Sequence, residues 1–483
     1  MTYQERPWVA HYPQEVPARL QYPDVPLTSF LEDSARDFPD RQATLFFGGA
    51  LTYRQLWDQV RRLAAGLTGL GLQPGDRVAV MLPNCPQAVI AYYGTLLAGG
   101  VVVQTNPLYM DRELDHQLAD SGAAFMVVVA RAYPTGARSR ARAGLRHVVV
   151  TGLQDYLPFP LNWLYPLTQR KNGKKGSKPA PILYGEGVHR FLDVLRTSPL
   201  AQYPKVGPRD LALLQYTGAT TGLAKGCMLS HANLVANMRQ IVAWLYRYER
   251  GKERVLAALP FFHVYGMTTA MNYAVFMAAT MILTPRFAVG DILKLIEKYR
   301  PTLFPGAPTM YIAINNFPGV KKRDLSSIGA CISGAAPLPA EVQETFEGLT
   351  GGKLVEGYGL TEASPVTHCN PLWGRRKAGS IGLPWPDTEC RIIDGTTGQE
   401  VEVGQVGELA VRGPQVMVGY WNRPEDTAAA LTKDGWLLTG DLARMDEEGY
   451  FYIVDRKKDV IIAGGFNIYP REVEEVLFEH PAV

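Results

Sequence analysis

Apolar positions alternate along the first half of the chain between a helical period and short continuous runs. Thr52-Tyr-Arg-Gln55 has the form of a capping box, and Leu56, Val60, Leu63, Ala64 and Leu67 follow at helical spacing. Gly71 and Pro74-Gly-Asp76 close that helix, and residues 77–82 read as a buried strand. A helix over 87–97, a strand over 101–104, a helix near 112–120 and a strand over 124–130 continue the rhythm. Helices alternating with nearly continuous apolar strands predict a layered α/β domain with a largely parallel sheet. The pattern resumes at 211–216 and runs past residue 330. From about 379 it gives way to short alternating strands (389–394, 407–412, 449–454), predicting a small β-rich subdomain over about 379–455. The charged run 455–459 reads as a linker. Residues 470–479 have helical spacing, with Val473, Val476 and Leu477 on one face.

Two stretches break the pattern. Residues 255–285 carry no formal charge, and 268–283 are nearly all apolar or small. Pro260, His263, Gly266 and Asn272 would all have to be satisfied inside lipid, so a buried helix is the expectation there. An insertion near 153–190 has an aromatic, proline-rich half (156–165) and a basic half (170–178). Two readings stay open: a solvated surface insertion, or a peripheral membrane contact with aromatics at the interface and lysines over anionic lipid.

Composition narrows the class. With 483 residues, the chain is expected to form several packed units. Its 47% hydrophobic and 20% charged residues are those of a globular protein. A net charge of +3 gives no footprint for nucleic acid. The five cysteines lie far apart with no CxxC spacing, which fits neither zinc nor a disulfide framework and suits a reducing cytosol. The polar, proline-punctuated start is not a signal peptide, so the expected location is cytoplasmic, with the inner face of the membrane left open.

The most informative segment is residues 216–226, YTGATTGLAKG, entered from a strand and left through Ser230-His-Ala-Asn233 at a helix start. Glycines let backbone N–H groups approach phosphate, threonines donate to it, and Lys225 adds charge. It is not a Walker A loop, because three residues rather than four separate Gly218 from Gly222, and Lys225 precedes a glycine. Further along stand Ser333-Gly-Ala-Ala-Pro-Leu338, Val355-Glu-Gly-Tyr-Gly-Leu-Thr-Glu362, Asp434-Gly-Trp-Leu-Leu-Thr-Gly-Asp441 and a long string over 454–474.

Taken in order, these segments resemble the AMP-forming acyl-CoA synthetases of the adenylate-forming superfamily, and among them the bacterial long-chain-fatty-acid–CoA ligases. The insertion and the Asp-Arg-Lys-Lys-Asp run carry the finer likeness. Ala219 stands where a glycine is usual and Ala224 where a proline is common; long-chain ligases also use alanine at the second place. The resemblance implies a large N-terminal AMP-binding domain (1–455) of two α/β subdomains plus the β-rich one. The start of a small α+β C-terminal domain (456–483) follows.

Site residues carried over by the resemblance are Thr217, Gly218, Thr220, Thr221, Gly222 and Lys225 on the phosphates. Gly334, Ala335, Glu356, Gly357 and Tyr358 would line adenine, with the Tyr358 ring stacked on it. Thr361 would contact the α-phosphate, Glu362 and Thr220 would flank Mg²⁺, and Asp441 and Arg456 would hold the ribose. Lys458 would be the hinge, Gly464, Gly465 and Phe466 would line the CoA tunnel, and His263 either lies beside the acyl carboxylate or is a satisfied core histidine. Co-substrates would be ATP and CoA.

The implied chemistry is attack of a carboxylate on the α-phosphorus of ATP, then of a thiol on the acyl-AMP. Residues 260–283 offer no acid for a substrate ammonium, so a medium-to-long fatty acid is preferred over an amino acid. The alternatives are another carboxylic acid, or an impaired nucleotide- and acyl-binding chain. The family's adenylation lysine lies near the end of the small domain and nothing up to Val483 matches it, so a C-terminally truncated and slowed enzyme is expected. Oligomeric state cannot be read from these residues.

Overall fold

The computed structural model describes residues 2–165, 182–217, 224–457, 461–463 and 466–468. The expected helix at 470–479 and the basic half of the insertion lie outside them.

The α/β alternation builds an eight-stranded sheet ordered Gly419–Tyr420, Gly226–Ser230, Leu211–Tyr216, Val101–Gln104, Arg77–Met81, Phe125–Val129, His147–Thr151, Val188–Arg190. From Leu211–Tyr216 to Val188–Arg190 every pairing is parallel. The strands on the other side, Gly226–Ser230 and Gly419–Tyr420, are antiparallel. Helices cover the faces, which explains why the central strands are apolar on both sides. Tyr53–Gly69 begins at the expected capping box, with Thr52 and Gln55 bonded reciprocally, and buries Leu56, Val60, Leu63, Ala64 and Leu67. Ser230 and Asn233 cap His231–Trp244 in the same way.

A second sheet runs Arg254–Ala257, Thr280–Leu283, Gln42–Phe46, Gly49–Thr52. Single bridges through Leu303 continue it toward Ala330–Ser333, Lys353–Gly359, Val366–Cys369 and Leu383–Pro384. The antiparallel sheet Glu389–Ile393, Gly407–Arg412, Leu437–Met445, Phe451–Arg456 accounts for the β-rich texture. The leading residues of the charged run, Asp455 and Arg456, belong to its last strand rather than to a linker.

The uncharged stretch is buried as expected but is not one helix. Val264–Gly266 continues through π-helical turns at Met267–Asn272 into Tyr273–Phe276, and Thr280–Leu283 is a parallel strand. Ala278, at φ 48°, reverses the chain between them. The buried carbonyls freed at this break are met from far away, by Gly251 N–H at Met277, Arg41 Nε at Ala278 and the Tyr53 hydroxyl at Ala279. Among the described residues, no helix is long and apolar enough to cross a membrane.

His231 gives the fold an acid sensitivity. Its ring is 1% exposed, its Nδ1 accepts the Leu27 N–H at 3.1 Å, and burial lowers its pKa to about 4 despite Asp210. The folded chain therefore holds this imidazole neutral, while the unfolded chain protonates it near about 6.5. Stability is complete above that value and falls as pH drops toward 4. Between pH 7.5 and 4.5, His231→Gln should lose on the order of 2 kcal/mol less unfolding free energy than the parent. Denaturant titrations at the two pH values check this; identical losses would show that the ring protonates without cost.

Candidate active site

Several of the candidate residues lie at the carboxyl ends of parallel strands, where open α/β sheets place ligands. Leu211–Tyr216 delivers Thr217, whose N–H bonds the Lys225 carbonyl at 3.0 Å and closes the base of the loop before Gly226–Ser230. Gly218, Thr220, Thr221 and Gly222 lie outside the described residues. Ala330–Ser333 leads to Gly334, whose N–H reaches the Gly306 carbonyl at 3.1 Å. A Cβ on Gly334 would lie 3.1 Å from the Tyr265 ring, so close packing explains glycine here. Ala335 takes φ 71°, a left-handed conformation unusual for alanine, in the loop expected to face adenine.

Lys353–Gly359 carries Glu356, Gly357 and Tyr358. Glu356 is 8% exposed, and its Oε2 accepts the Leu338 N–H at 3.0 Å, tying the Ser333–Leu338 loop to this strand. A Cβ on Gly357 would stand 2.8 Å from Ile332. The Tyr358 hydroxyl donates to Asp441 Oδ2 at 2.5 Å, and Arg456 Nε lies 3.8 Å from Asp441 Oδ1. Burial, with the Asp441 charge beside it, pushes the Tyr358 phenol well above its ordinary pKa, so it stays a donor. Asp441 and Arg456 are cross-strand partners on the antiparallel sheet. The tyrosine, the carboxylate and the guanidinium therefore meet from two different sheets.

Thr361 and Glu362 lie in the turn Thr361–Ala363. Glu362 Oε1 accepts the Tyr420 hydroxyl at 2.7 Å, and its carbonyl accepts the Met417 N–H at 2.8 Å. Lys225 is paired with Asp426 and stands over the Tyr420 ring at 5.3 Å. No sequence pattern marks Tyr420 or Asp426; the edge strand Gly419–Tyr420 and the helix Pro424–Ala430 bring them here. Among the described residues no group of three or more His, Cys, Asp or Glu could hold a metal. A lone carboxylate such as Glu362 suits a hard cation that draws its remaining oxygens from phosphate and water.

His263 caps the short helix Val264–Gly266, its Nδ1 accepting the Tyr265 N–H at 3.2 Å. The ring reaches solvent, yet the protein around it lowers its pKa, which keeps it neutral at neutral pH. The Tyr265 hydroxyl bonds the carbonyls of Gly306 and Ile332 at 3.2 and 2.7 Å, linking this helix to the Gly334 loop. Lys458, Gly464 and Gly465 lie outside the described residues, and Phe466 opens the strand Phe466–Ile468, paired with Ile461–Ala463.

The chain as a whole is similar to several known proteins. The AMP-binding enzyme family matches residues 31–421. A long-chain-fatty-acid–CoA ligase of Bacillus subtilis is 51% identical, over 99% of this chain and 85% of the relative. One of Yersinia pestis is 41% identical over the same shares. Among solved structures, ATP-bound MatB from Rhodopseudomonas palustris superposes with a TM-score of 0.82 at 31% identity, over 95% of this chain and 84% of that one. A long-chain-fatty-acid–CoA ligase from Archaeoglobus fulgidus gives 0.77 at 25% identity, over 96% and 88%.

Proposed function

We propose, because the chain belongs to the AMP-binding enzyme family, that this cleft activates a long-chain fatty acid with ATP and transfers the acyl group to CoA. The observation that carries the choice of acid is the buried, uncharged segment behind His263. Val264, Met267, Ala270, Met271, Ala274 and Val275 are all buried there, and no carboxylate waits for a substrate ammonium. Each methylene buried in such surroundings is favourable by roughly 0.8 kcal/mol. The long-chain ligases at 51% and 41% identity support the same choice.

In this reading the Tyr358 ring lies against adenine, beside Gly334, Ala335, Glu356 and Gly357. Asp441 accepts the ribose hydroxyls, with Arg456 beside it. The loop from Thr217 to Lys225 takes the phosphates, and Thr361 donates to the α-phosphate. Glu362, with Thr220, would hold Mg²⁺, which supplies charge neutralisation as pyrophosphate leaves. A neutral His263 donates a hydrogen bond to the acyl carboxylate without binding it as an ion pair, so the nucleophile stays reactive. The carboxylate oxygen attacks the α-phosphorus and pyrophosphate departs; the CoA thiolate then attacks the acyl carbon and AMP departs. Lys458 is the hinge for that second step, and Gly464, Gly465 and Phe466 border the thiol's path. Residues 1–455 form the adenylation domain in this scheme and 456–483 begin the next one, with Arg456 still completing the last strand of the antiparallel sheet.

The aromatic half of the insertion favours a peripheral membrane contact over a plain solvated loop. Phe159 and Trp163 are 83% and 78% exposed, with Leu183 close in sequence at 78%. Lone apolar residues need no explanation, but exposed aromatics flanking a basic stretch suit an anionic lipid interface.

Pyrophosphate release with a panel of carboxylic acids tests the substrate. Long-chain fatty acids should exceed acetate, aryl acids and amino acids, and a preference for any of those would reassign it. Asp441→Asn should weaken ATP and acyl-AMP together by about 1.5–3 kcal/mol, since both carry the ribose. Unchanged affinity for both would make Asp441 structural. Binding to anionic vesicles should fall as salt rises, and again when Lys171, Lys174, Lys175 and Lys178 become Gln, each contributing about 1 kcal/mol. No binding at low salt would return the insertion to a solvated loop.

A further inference from the structure

The segment 417–427 reaches both charged groups of the phosphate end of the cleft, and it is held rigidly. Gly419 and Tyr420 pair with Met228 and Cys227, and the Trp421 N–H bonds the Gly226 carbonyl at 2.8 Å. Trp421 Nε1 reaches the Asp120 carbonyl at 3.1 Å, and Arg423 approaches the Asp120 carboxylate at 3.5 Å. Thr427 Oγ1 accepts the Tyr420 N–H at 2.9 Å and donates to the Arg423 carbonyl at 2.8 Å, folding the turn back on itself. Gly419 sits at φ 153° with space for a Cβ closed off by Thr427 at 2.8 Å. Upstream, the Met417 N–H holds the Glu362 carbonyl at 2.8 Å.

From this frame one side chain spans two functional groups. The Tyr420 hydroxyl donates to Glu362 Oε1 at 2.7 Å, while its ring faces Lys225 at 5.3 Å. Asp426, on the helix Pro424–Ala430, ion-pairs with the same Lys225. We propose that Tyr420 and Asp426 are positioning residues of the ATP site. Tyr420 orients the Glu362 carboxylate for the cation, and Asp426 competes with the nucleotide's phosphates for Lys225. This rests on the reading of Glu362 as the metal carboxylate and of Lys225 as a phosphate ligand.

The two roles differ in sign. A hydroxyl that orients a carboxylate strengthens metal-dependent binding, because the carboxylate pays less ordering entropy when the cation arrives. A carboxylate held against a phosphate-binding ammonium opposes binding, both by occupying a donor and by repelling the incoming charge. Neither residue would touch the nucleotide in doing so.

Calorimetric titration of the 483-residue chain with ATP in the presence and absence of Mg²⁺, and with AMP, separates the possibilities. Tyr420→Phe, which keeps the ring over Lys225, should cut the Mg²⁺-dependent gain in ATP affinity several-fold and leave AMP unchanged. Asp426→Asn should raise ATP affinity several-fold at low salt, and Lys225→Gln should abolish that rise. If Glu362→Gln removes the Mg²⁺ gain while Tyr420→Phe does not, Tyr420 has no positioning role and the metal assignment stands. If Glu362→Gln also leaves the gain intact, the metal assignment itself fails. If Asp426→Asn weakens ATP, or strengthens it equally without Lys225, the competition is overturned.

Discussion

Buried side-chain amides hold this cleft open. Loops at the ends of parallel strands leave backbone N–H and C=O groups with no ladder to join, and burying them unpaired costs about 1–3 kcal/mol each. Here asparagines and glutamines inside the core supply the partners. Asn84, after the strand Arg77–Met81, donates to the carbonyls of Ala257 and Leu259 and accepts the Phe261 N–H. It thereby sets the loop that delivers His263 from the other sheet. On the helix His231–Trp244, Asn233 holds the carbonyls of Pro414 and Val416, Asn237 holds both backbone groups of Val366, and Gln240 holds Pro386. A single helix therefore fixes the turn that bears Glu362 and the segment that leads to Tyr420.

That scaffold explains how a site made from several sheets keeps its geometry. Asp441 belongs to the antiparallel sheet within residues 389–456 and Tyr358 to the continuation of the second sheet, yet their side chains meet at 2.5 Å. Lys225 sits on the loop of the eight-stranded sheet and meets Asp426 on a short helix from the distal part of the chain. The charged groups in the cleft are partnered across elements: Asp441 with Tyr358 and Arg456, Glu362 with Tyr420, and Lys225 with Asp426. The five cysteines are buried and form no disulfide, and Cys227 Sγ approaches the Thr361 carbonyl at 3.7 Å.

Much of this was legible along the chain because it depends on local chemistry. The capping boxes at Thr52 and Ser230 mark helix starts through bonds between residues three apart, so spacing alone exposes them. The doubly buried strands declare themselves as apolar runs, and the segments 216–226, 333–338, 355–362 and 434–441 are contiguous strings with a family likeness. Where the reading differed from the structure, the deciding contacts were remote. The stretch 268–283 has one apolar texture, and periodicity cannot separate a buried helix from a buried strand. The break at Ala278 is secured by Gly251, Arg41 and Tyr53, none of them near in sequence. Asp455 and Arg456 look like a solvated charge run until Leu437–Met445 pairs with them.

The sequence by itself determined the α/β class, the order of the motifs and the adenylate-forming chemistry they imply, because period, caps and motif strings are properties of neighbouring residues. Only the tertiary structure decided which side chains share the cleft. It placed Tyr420 between Glu362 and Lys225, set Asp426 on that lysine, and joined Tyr358 to Asp441. Those contacts join residues tens to hundreds of positions apart. They are fixed by sheet order and by buried amides satisfying loop backbone, and neither leaves a periodic trace in the chain.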